Sequence, residues 1–490
     1  MNNQYILSFK DTVKIHLVLF TPLIWIIIKY LQNDFPDNSS FDDWFFNSDS
    51  IFYHSVSKDM ILNKGQLVDW YFPAAPSLFP SLLIVYIINL FTENFYLSNL
   101  LFVCFQVLQL YILILLLLKY FTDQRYAVFF GFVIFSFTII IFDFVPFLYY
   151  SKVDHHFGNF LNLLFCLFLT INQLFKPKNL YAIGLFSLLA ISTISNPLII
   201  SQFSMPMILA LTLIEKIEKN NRSLLMFIIA SSSVIGFLIK GIFFNNDLTD
   251  VVISYKQVIN SLYHIKVFFT QNSTIFQNSI LIPFIYFIFI SLTRLFKKPK
   301  IVDLKNHFLI LFVSASFITS IIVVLFSPVN IQFRYIINIY YLSIITSIIL
   351  LYPFINDFYK SHNKIFTLYF TFFLFIIIAF KTDFSKKLSF NYYPDSISHF
   401  DNLAKEKKLK FGVADYWDAN RLYVLSKSDL RGVSPVKIDK DNKAKIRKFN
   451  TSKLWAENEI DFSYNIHPKS LGISSYELVV TNKDSIYVFK

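Results

Sequence analysis

The sequence predicts an all-α, polytopic membrane domain followed by a small α/β domain outside the membrane. Hydrophobic residues make up 55% of the 490 residues and the mean hydropathy is +0.52, so lipid rather than water must solvate most of the chain. Apolar runs of about twenty residues, enough to cross roughly 30 Å of hydrocarbon as helix, recur up to about residue 380. From residue 381 the composition becomes polar. We therefore expect a membrane domain at 1–380 and a soluble domain at 381–490.

The basic residues predict how the chain is threaded. About 11 spans place Lys and Arg in alternate loops, and short loops with this bias stay in the cytoplasm. The amino terminus is then cytoplasmic and the soluble domain lies outside. We expect the spans at about 14–31, 97–118, 126–142, 157–175, 180–195, 197–214, 223–244, 279–296, 307–326, 333–353 and 365–380.

The first outer loop, 31–76, is acidic: it contains seven aspartates and two lysines in a chain of formal net charge +12. A helix is expected from about Ser50 to Asn63, and an apolar stripe of Phe52, Val56 and Met60 predicts that it lies on the membrane surface. Carboxylates at a membrane surface, on the side that excludes basic residues, suit chemistry on a membrane-anchored substrate.

Asp49 is the carboxylate that this loop favours. It can be a plain helix cap or a general base, because the aromatic residues around it, including Trp44 and Tyr53, can raise a carboxylate's proton affinity and stack on sugar rings. Asp42 and Asp43 have no such setting and are expected to be solvated.

The apolar segment 77–90 is expected to be a helix at the outer interface. Prolines at 73, 76 and 80 restrict helix formation at its start. A span here would also place Lys119 and Arg125 outside, against the charge bias.

A second group of polar residues, YYSKVDHHFGN, opens the span at 157–175. Asp154, His155 and His156 can bind a divalent metal ion or carry protons, and Lys152 can bind a phosphate. The alternative is an interfacial anchor built from amphipathic side chains.

Arg334 and Tyr335 open a late span on the same side. A guanidinium there can bind a phosphate through paired donors, or it can extend to lipid headgroups. The outer loop 245–278, which contains His264, is long enough to form a lid or an acceptor site.

In this order, these elements resemble the GT-C superfamily of membrane glycosyltransferases, with a pattern closest to the lipid A aminoarabinose transferases and the protein O-mannosyltransferases. Asp49 is followed at the family's spacing by Tyr53, Gly65 and the proline-rich PAAPSLFP. A short basic loop then leads to Asp154, and an Arg-Tyr pair opens a late span. The DHH triplet is more similar to the metal-binding outer loop of oligosaccharyltransferases in the same superfamily.

Two positions depart from the pattern. Ser50 stands where an acid is frequent, and Ala74 with Ala75 replaces a basic residue that often precedes the prolines. The donor phosphate would then be held by Lys58, Lys152 or Arg334.

The resemblance implies a GT-C-like fold and an inverting transferase of the bacterial inner membrane. Its partners would be the bilayer, a polyprenyl-phosphate sugar donor and a lipid, glycan or protein acceptor, with no nucleic acid; a divalent metal ion is left open as cofactor. The implied roles are catalysis by Asp49 and Asp154, donor phosphate binding by Arg334, Lys152, Lys58 and Tyr335, substrate binding by Tyr53, Trp44, Tyr150 and His264, and metal binding by His155, His156 and Asp154.

Two other classes fit the composition. One is a glycan polymerase or ligase of another superfamily, and the other is a transporter of lipid-linked sugars. A transporter needs polar residues along a path through the spans. Few occur here, which favours an enzyme at the interface.

Overall fold

In the computed structural model, the chain is mainly helical. The structure describes residues 21–32, 48–136, 157–215, 217–244, 258–263, 288, 304–326, 333–382, 384–406, 411–428, 430, 432–438, 444–446, 451–453 and 485–488. The helices of the apolar part are α1 (Thr21–Leu31), α2 (Ser48–Leu62), α3 (Leu83–Asn89), α4 (Phe95–Phe121), α5 (Gln124–Ser136), α6 (Phe157–Phe175), α7 (Asn179–Ser195), α8 (Met205–Leu213), α9 (Lys219–Phe243), α10 (Leu304–Phe326) and α11 (Phe333–Lys381). Short π-helical turns, Leu78–Leu82 and Ile200–Ser204, lead into α3 and α8.

Four of the described helices are long and apolar enough to cross a membrane: Phe95–Phe121, Phe157–Phe175, Lys219–Phe243 and Leu304–Val323. Shorter apolar helices lie at five of the other predicted spans. Helix α5 covers the first part of the span at 126–142, and the span at 279–296 falls almost entirely outside the described residues. The described helices therefore agree with a multi-pass membrane protein, while the number of eleven spans remains a prediction.

Basic residues from different loops meet at one end of the helix bundle, as the alternation of basic loops predicts. The ammonium groups of Lys176 and Lys305 lie 5.9 and 4.4 Å from the ring centre of Tyr120, so the ends of α4 and α6 meet the start of α10. At the opposite end of α4, the Tyr96 hydroxyl donates to the Tyr30 carbonyl (3.0 Å), and the Ser389 nitrogen donates to the Leu31 carbonyl (2.7 Å). Lys176 and Lys305 thus lie at the end of α4 away from the end of α1.

Residues 333–381 form one long helical stretch, α11, which is not straight. The Tyr126 hydroxyl donates to the Ile348 carbonyl (3.0 Å), and the ring of Phe129 lies 6.1 Å from that of Phe370. Tyr126 and Phe129 are one turn apart on α5, whereas a straight helix would separate Ile348 from Phe370 by roughly 33 Å. The stretch must therefore bend back, and its two apolar limbs correspond to the last two predicted spans: Ile337–Pro353 and Leu368–Phe380.

The polar carboxyl-terminal part contains a small mixed sheet. The elements are α12 (Asp395–Glu406), β2 (Phe411–Asp415), α13 (Tyr416–Leu425), β3 (Gly432–Ile438), β4 (Ala444–Ile446), β5 (Thr451–Ser452) and β6 (Ser485–Val488). The strands of the sheet have the order β4-β3-β2-β6, with β2 parallel to both β3 and β6 and β3 antiparallel to β4. The sequence favours a helix at HFDNLAKEKKLK and strands at KFGVADYW and LRGVSPV, which overlap α12, β2 and β3. It also favours a hairpin at YELVVTNKDSIYVFK; this segment lies mostly outside the described residues, and the described partner of β6 is β2.

The first outer loop is joined to this carboxyl-terminal part. Strand β1 (Trp70–Tyr71) pairs antiparallel with β5, the Lys453 ammonium donates to the Val68 carbonyl (2.7 Å), and α2 packs against α13. Distant parts of the sequence therefore form one outer structure.

This packing corrects the expectation that α2 lies on the membrane surface. Residues 51–57 are all buried, and seven consecutive residues cover every face of a helix. The stripe of Phe52 and Val56 faces one set of neighbours, while α13 covers the side that was expected to face water. The prediction was wrong because the periodicity of α2 alone does not reveal a neighbour more than 360 residues away.

Candidate active site at one end of the bundle

The first turn of α2 presents the candidate base. Asp49 is half-buried there, where the helix dipole favours a negative charge. Tyr53 lies one turn further along, close to the same face of the helix, and is buried. Its hydroxyl donates to the Ala75 carbonyl over 3.5 Å, which joins α2 to the proline-rich segment at the spacing noted in the sequence.

The proline-rich segment is held by the end of α7. The Ser77 nitrogen donates to the Ser195 carbonyl (2.8 Å). The Ser195 hydroxyl accepts from the Phe79 nitrogen and donates to the Phe79 carbonyl, both at 2.9 Å. A hydroxyl can do both at once, so one serine fixes the backbone at the turn into α3.

The start of α6 packs against the same turn. The Asn162 side chain donates to the Phe79 carbonyl (3.2 Å). A methyl group added at Gly158 would lie 2.5 Å from the Ser81 hydroxyl and 3.0 Å from the Pro80 ring, so glycine favours this close approach. In the sequence, Gly158 follows Asp154 by four residues.

The start of α11 lies at this end as well. The rings of Phe160 on α6 and Tyr341 on α11 stack with centroids 5.0 Å apart. Position 334 is seven residues before Tyr341, so it lies on nearly the same face of α11 and about 10 Å nearer its amino end. This places the backbone of Arg334 above the start of α6.

A buried polar network fixes α11 against α10. The Asn338 amide donates to the hydroxyls of Ser316 and Ser320, both at 3.0 Å, and the Ser316 hydroxyl donates to the Gln202 carbonyl (3.1 Å). The Asn159 amide donates to the Gln202 side chain (2.7 Å). Polar side chains in an apolar bundle bond to one another because lipid offers no partner, so this network sets the position of the first turns of α6 and α11.

Apart from Lys58, the candidate residues divide into two groups. Asp49, Tyr53, Arg334 and Tyr335 belong to elements that meet at this end, although for Arg334 and Tyr335 it is the backbone position in the first turn of α11 that the structure describes. Seven others lie outside the described residues: Trp44, Tyr150, Lys152, Asp154, His155, His156 and His264. No group of three potential metal ligands occurs among the described residues, so the metal site remains a prediction.

Lys58 is placed away from this site. It follows Asp49 by nine residues, which on a helix is half a rotation and about 13.5 Å along the axis. Its ammonium donates to the Tyr423 carbonyl (2.6 Å) and lies 4.8 Å from the Tyr423 ring. Burial lowers the pKa of Lys58 to about 8, while Asp401 and Glu93 oppose that shift. Lys58 therefore belongs to the contact with α13.

Asp59 is a buried carboxylate that no sequence pattern singled out. Its carboxylate accepts hydrogen bonds from the Trp70 indole (3.1 Å) and the Asn63 amide (2.8 Å), and burial raises its pKa. A methyl group at Gly65 would overlap this carboxylate. Gly65 therefore makes room for the Asp59 carboxylate, which gives this glycine a packing role in the fold.

Comparisons with known proteins identify a fold and no family. The sequence matches no protein-family model and no curated protein. Among solved structures, the oligosaccharyltransferase of Archaeoglobus fulgidus in complex with Zn and sulfate is 14% identical, with 90% of this chain and 62% of that chain covered and a TM-score of 0.50. The archaeal oligosaccharyltransferase AglB from the same organism, in complex with an inhibitory peptide and a dolichol-phosphate, is 13% identical, with 87% and 65% covered and a TM-score of 0.49.

This chain spans less than two thirds of the length of those enzymes, and at such identity the likeness shows the fold alone. It supports the GT-C fold that the sequence predicts. The nearer pattern of the aminoarabinose and O-mannosyl transferases remains a prediction.

Proposed function

We propose that this protein is an integral-membrane, inverting glycosyltransferase that transfers a sugar from a polyprenyl-phosphate donor to a lipid, glycan or protein acceptor. The observation that carries the proposal is the proline-rich turn, which contacts Tyr53 of α2 and Gly158 of α6, while Phe160 of α6 stacks on Tyr341 of α11. These contacts link three helices whose first turns carry or directly follow Asp49, Asp154 and Arg334 in the sequence. By the charge bias of the loops, the end of the bundle with Asp49 is extracytoplasmic, and the resemblance to GT-C enzymes implies a bacterial inner membrane.

Chemistry at this place needs no nucleotide-binding fold. A polyprenyl chain partitions into the bilayer and holds the anomeric carbon at the interface. Asp49 removes the proton from an acceptor hydroxyl or amine as that group attacks, and the phosphate leaves from the opposite side, which inverts the anomeric carbon. Arg334 and Lys152 stabilise the charge on the leaving phosphate. Asp154 is the second catalytic carboxylate of this proposal.

The likeness to an oligosaccharyltransferase fold bears on the donor. A lipid-linked oligosaccharide is a donor to test beside a single lipid-linked sugar. Tyr53 contributes by holding the proline-rich segment, and the aromatic residues before α2 are the proposed contacts for the sugar.

The test is Asp49→Asn in purified full-length protein, supplied with polyprenyl-linked donors and with lipid, glycan and peptide acceptors. Loss of a general base lowers a rate by about 10²–10⁴-fold, so transfer should fall to that extent. Asp69→Asn is the matched control: Asp69 is another acid of the same loop, and its carboxylate accepts a hydrogen bond from the Gln66 nitrogen (2.9 Å), which an asparagine oxygen can also do. Near-normal transfer by Asp49→Asn would refute the assignment.

A further inference from the structure

A cavity of about 960 Å³ lies between the bundle and the carboxyl-terminal part. It is lined by α2, by the loop between α3 and α4, by residues 391–393 and by the end of α13. His54 and Lys58 line it from α2, and they are about 140° and 180° around that helix from Asp49. The cavity is therefore separate from the proposed active site.

Lys58 brings a buried positive charge to this cavity. An ammonium has three donors. Among the described residues, the hydrogen bond acceptor recorded for Lys58 is the Tyr423 carbonyl, so donors remain for a ligand. Burial of this cation is unfavourable, and Asp401 and Glu93 offset that cost only in part, because the pKa of Lys58 stays lowered; an anionic ligand would offset more of it.

His54 supplies a second unmet polar group at the same wall. It is 1% exposed. Asn89 and Asn99 lie near its ring, and burial lowers its pKa to about 3, so the imidazole is neutral. Neither ring nitrogen makes a hydrogen bond of normal geometry to any residue that the structure describes. A buried donor left without an acceptor costs about 1–3 kcal/mol, and a ligand in the cavity would remove that cost.

The mouth of the cavity has a different character. Its charged residues are Lys427, whose ammonium lies 4.0 Å from the Tyr393 ring, and the exposed Glu93. With Lys58, the lining residues carry two positive charges and one negative. Leu62, Leu90 and Phe91 line the same cavity and are 57%, 53% and 85% exposed, so the mouth is apolar although its interior is polar.

Helix α4 carries an exposed apolar stripe of its own. Its exposed side chains recur at positions 101, 105, 108 and 112, the spacing of a single helical face. This stripe lies about 140° around the helix from Tyr96, which lines the cavity, so the apolar mouth is formed by Leu62, Leu90 and Phe91 and not by the stripe.

We propose that this cavity binds the phosphate headgroup of an anionic membrane lipid, with Lys58 and Lys427 contacting the phosphate, His54 bonding to the headgroup and the acyl chains leaving past the apolar side chains at the mouth. The polar interior recognises the phosphate, and the apolar mouth distinguishes a lipid from free phosphate. Such a lipid would lie between α2 and α13 and would stabilise their contact. This proposal does not depend on the activity of Asp49.

The experiment measures lipid binding to the full-length protein in detergent by native mass spectrometry. Phosphatidylglycerol is added alone, in competition with inorganic phosphate, or replaced by diacylglycerol, which lacks the phosphate. We expect saturable binding of phosphatidylglycerol, weak competition by inorganic phosphate and little binding of diacylglycerol. Equal binding of diacylglycerol would overturn the phosphate contact, and full displacement by equimolar inorganic phosphate would overturn the lipid assignment.

Lys58→Met should weaken the binding of phosphatidylglycerol about tenfold or more, the effect of losing one charge-assisted hydrogen bond. Lys453→Met is the matched control, because Lys453 also donates to a backbone carbonyl of the other part (Val68) and lies 5.5 Å from the Tyr71 ring, but it does not line the cavity. Equal losses in both variants would refute the site.

Two exposed positions test the same site without disturbing the buried contact. Lys427→Gln should weaken binding, and Glu93→Gln should strengthen it, because the first removes an attraction and the second a repulsion. Both changes should keep the folded state. If the two variants bind phosphatidylglycerol as the wild type does, the cavity is not the lipid site.

Discussion

Replacement of Gly236 by alanine should separate two helices whose contact supports the proposed active site. Gly236 on α9 faces α7, where an added methyl carbon would lie 2.5 Å from the Ala190 carbonyl oxygen and 2.8 Å from Thr193 Cβ. These are backbone or branched-carbon neighbours that cannot rotate away. Small residues permit such close approach between helices in membranes.

The size of the effect follows from these distances. Ordinary contacts begin at 3.4 Å, so the helices must move apart by roughly 0.9 Å to relieve the contact with the carbonyl. Overpacking of this kind typically costs about 1–3 kcal/mol. Thr193 is two residues before Ser195, whose hydroxyl holds the turn at Phe79. We therefore expect Gly236→Ala to lower both the stability and the transfer rate.

Gly241 on the same helix provides the control, because nothing lies within 4 Å of a methyl group added there. Gly241→Ala should be neutral or should stabilise the protein by up to about 1 kcal/mol, since alanine favours helix. Thermal unfolding of both variants in the same detergent measures the difference. Equal midpoints for the two variants would show that α7 and α9 do not approach as closely as the structure has them.

Two further predictions follow from buried polar groups. His54 has a pKa of about 3 against an ordinary 6.5, so the folded state binds fewer protons than the unfolded one; stability should fall as pH drops from about 6.5 toward 3, by up to about 1.4 kcal/mol per pH unit. Unfolding of His54→Gln across that range should show a shallower pH dependence, and an unchanged slope would contradict the buried neutral imidazole. Asn338→Leu removes two bonds to α10 and should cost about 0.6–2 kcal/mol. Its control in the same unfolding measurement is Ser231→Ala, which removes a hydroxyl bonded to the Phe227 and Ile228 carbonyls of its own helix; equal stability of the two variants would contradict the network.

The sequence predicted the helices well because their signals are local. The span at 157–175 coincides with α6, and a capping aspartate beside an apolar run located α2 to within about two residues. The loops rich in lysine and arginine also predicted which helix ends lie together. Each of these patterns is contained in a short stretch of chain.

The sequence could not predict contacts between distant stretches. Lys58 was expected to bind the donor phosphate. In the structure its ammonium donates to the Tyr423 carbonyl, a partner 365 positions away that no local pattern around Lys58 indicates. The parallel pairing of β2 with β6 and the cover that α13 provides for α2 have the same origin. For Asp59, the pairing with Trp70 and the room left by Gly65 became visible with the fold.

The pairing of β1 with β5 has a consequence for how the protein is made. Trp70 lies opposite Ser452, so the strand in the first outer loop waits for its partner while the ribosome adds more than 380 residues. At about 5–20 residues per second, that interval is roughly 20–80 s. In the proposed orientation, the loop is by then across the membrane, and the face of α2 that α13 will cover is still exposed. In that orientation, the first loop to be exported is among the last parts to reach its final structure, and a chaperone or protease outside the membrane has that interval in which to act on it.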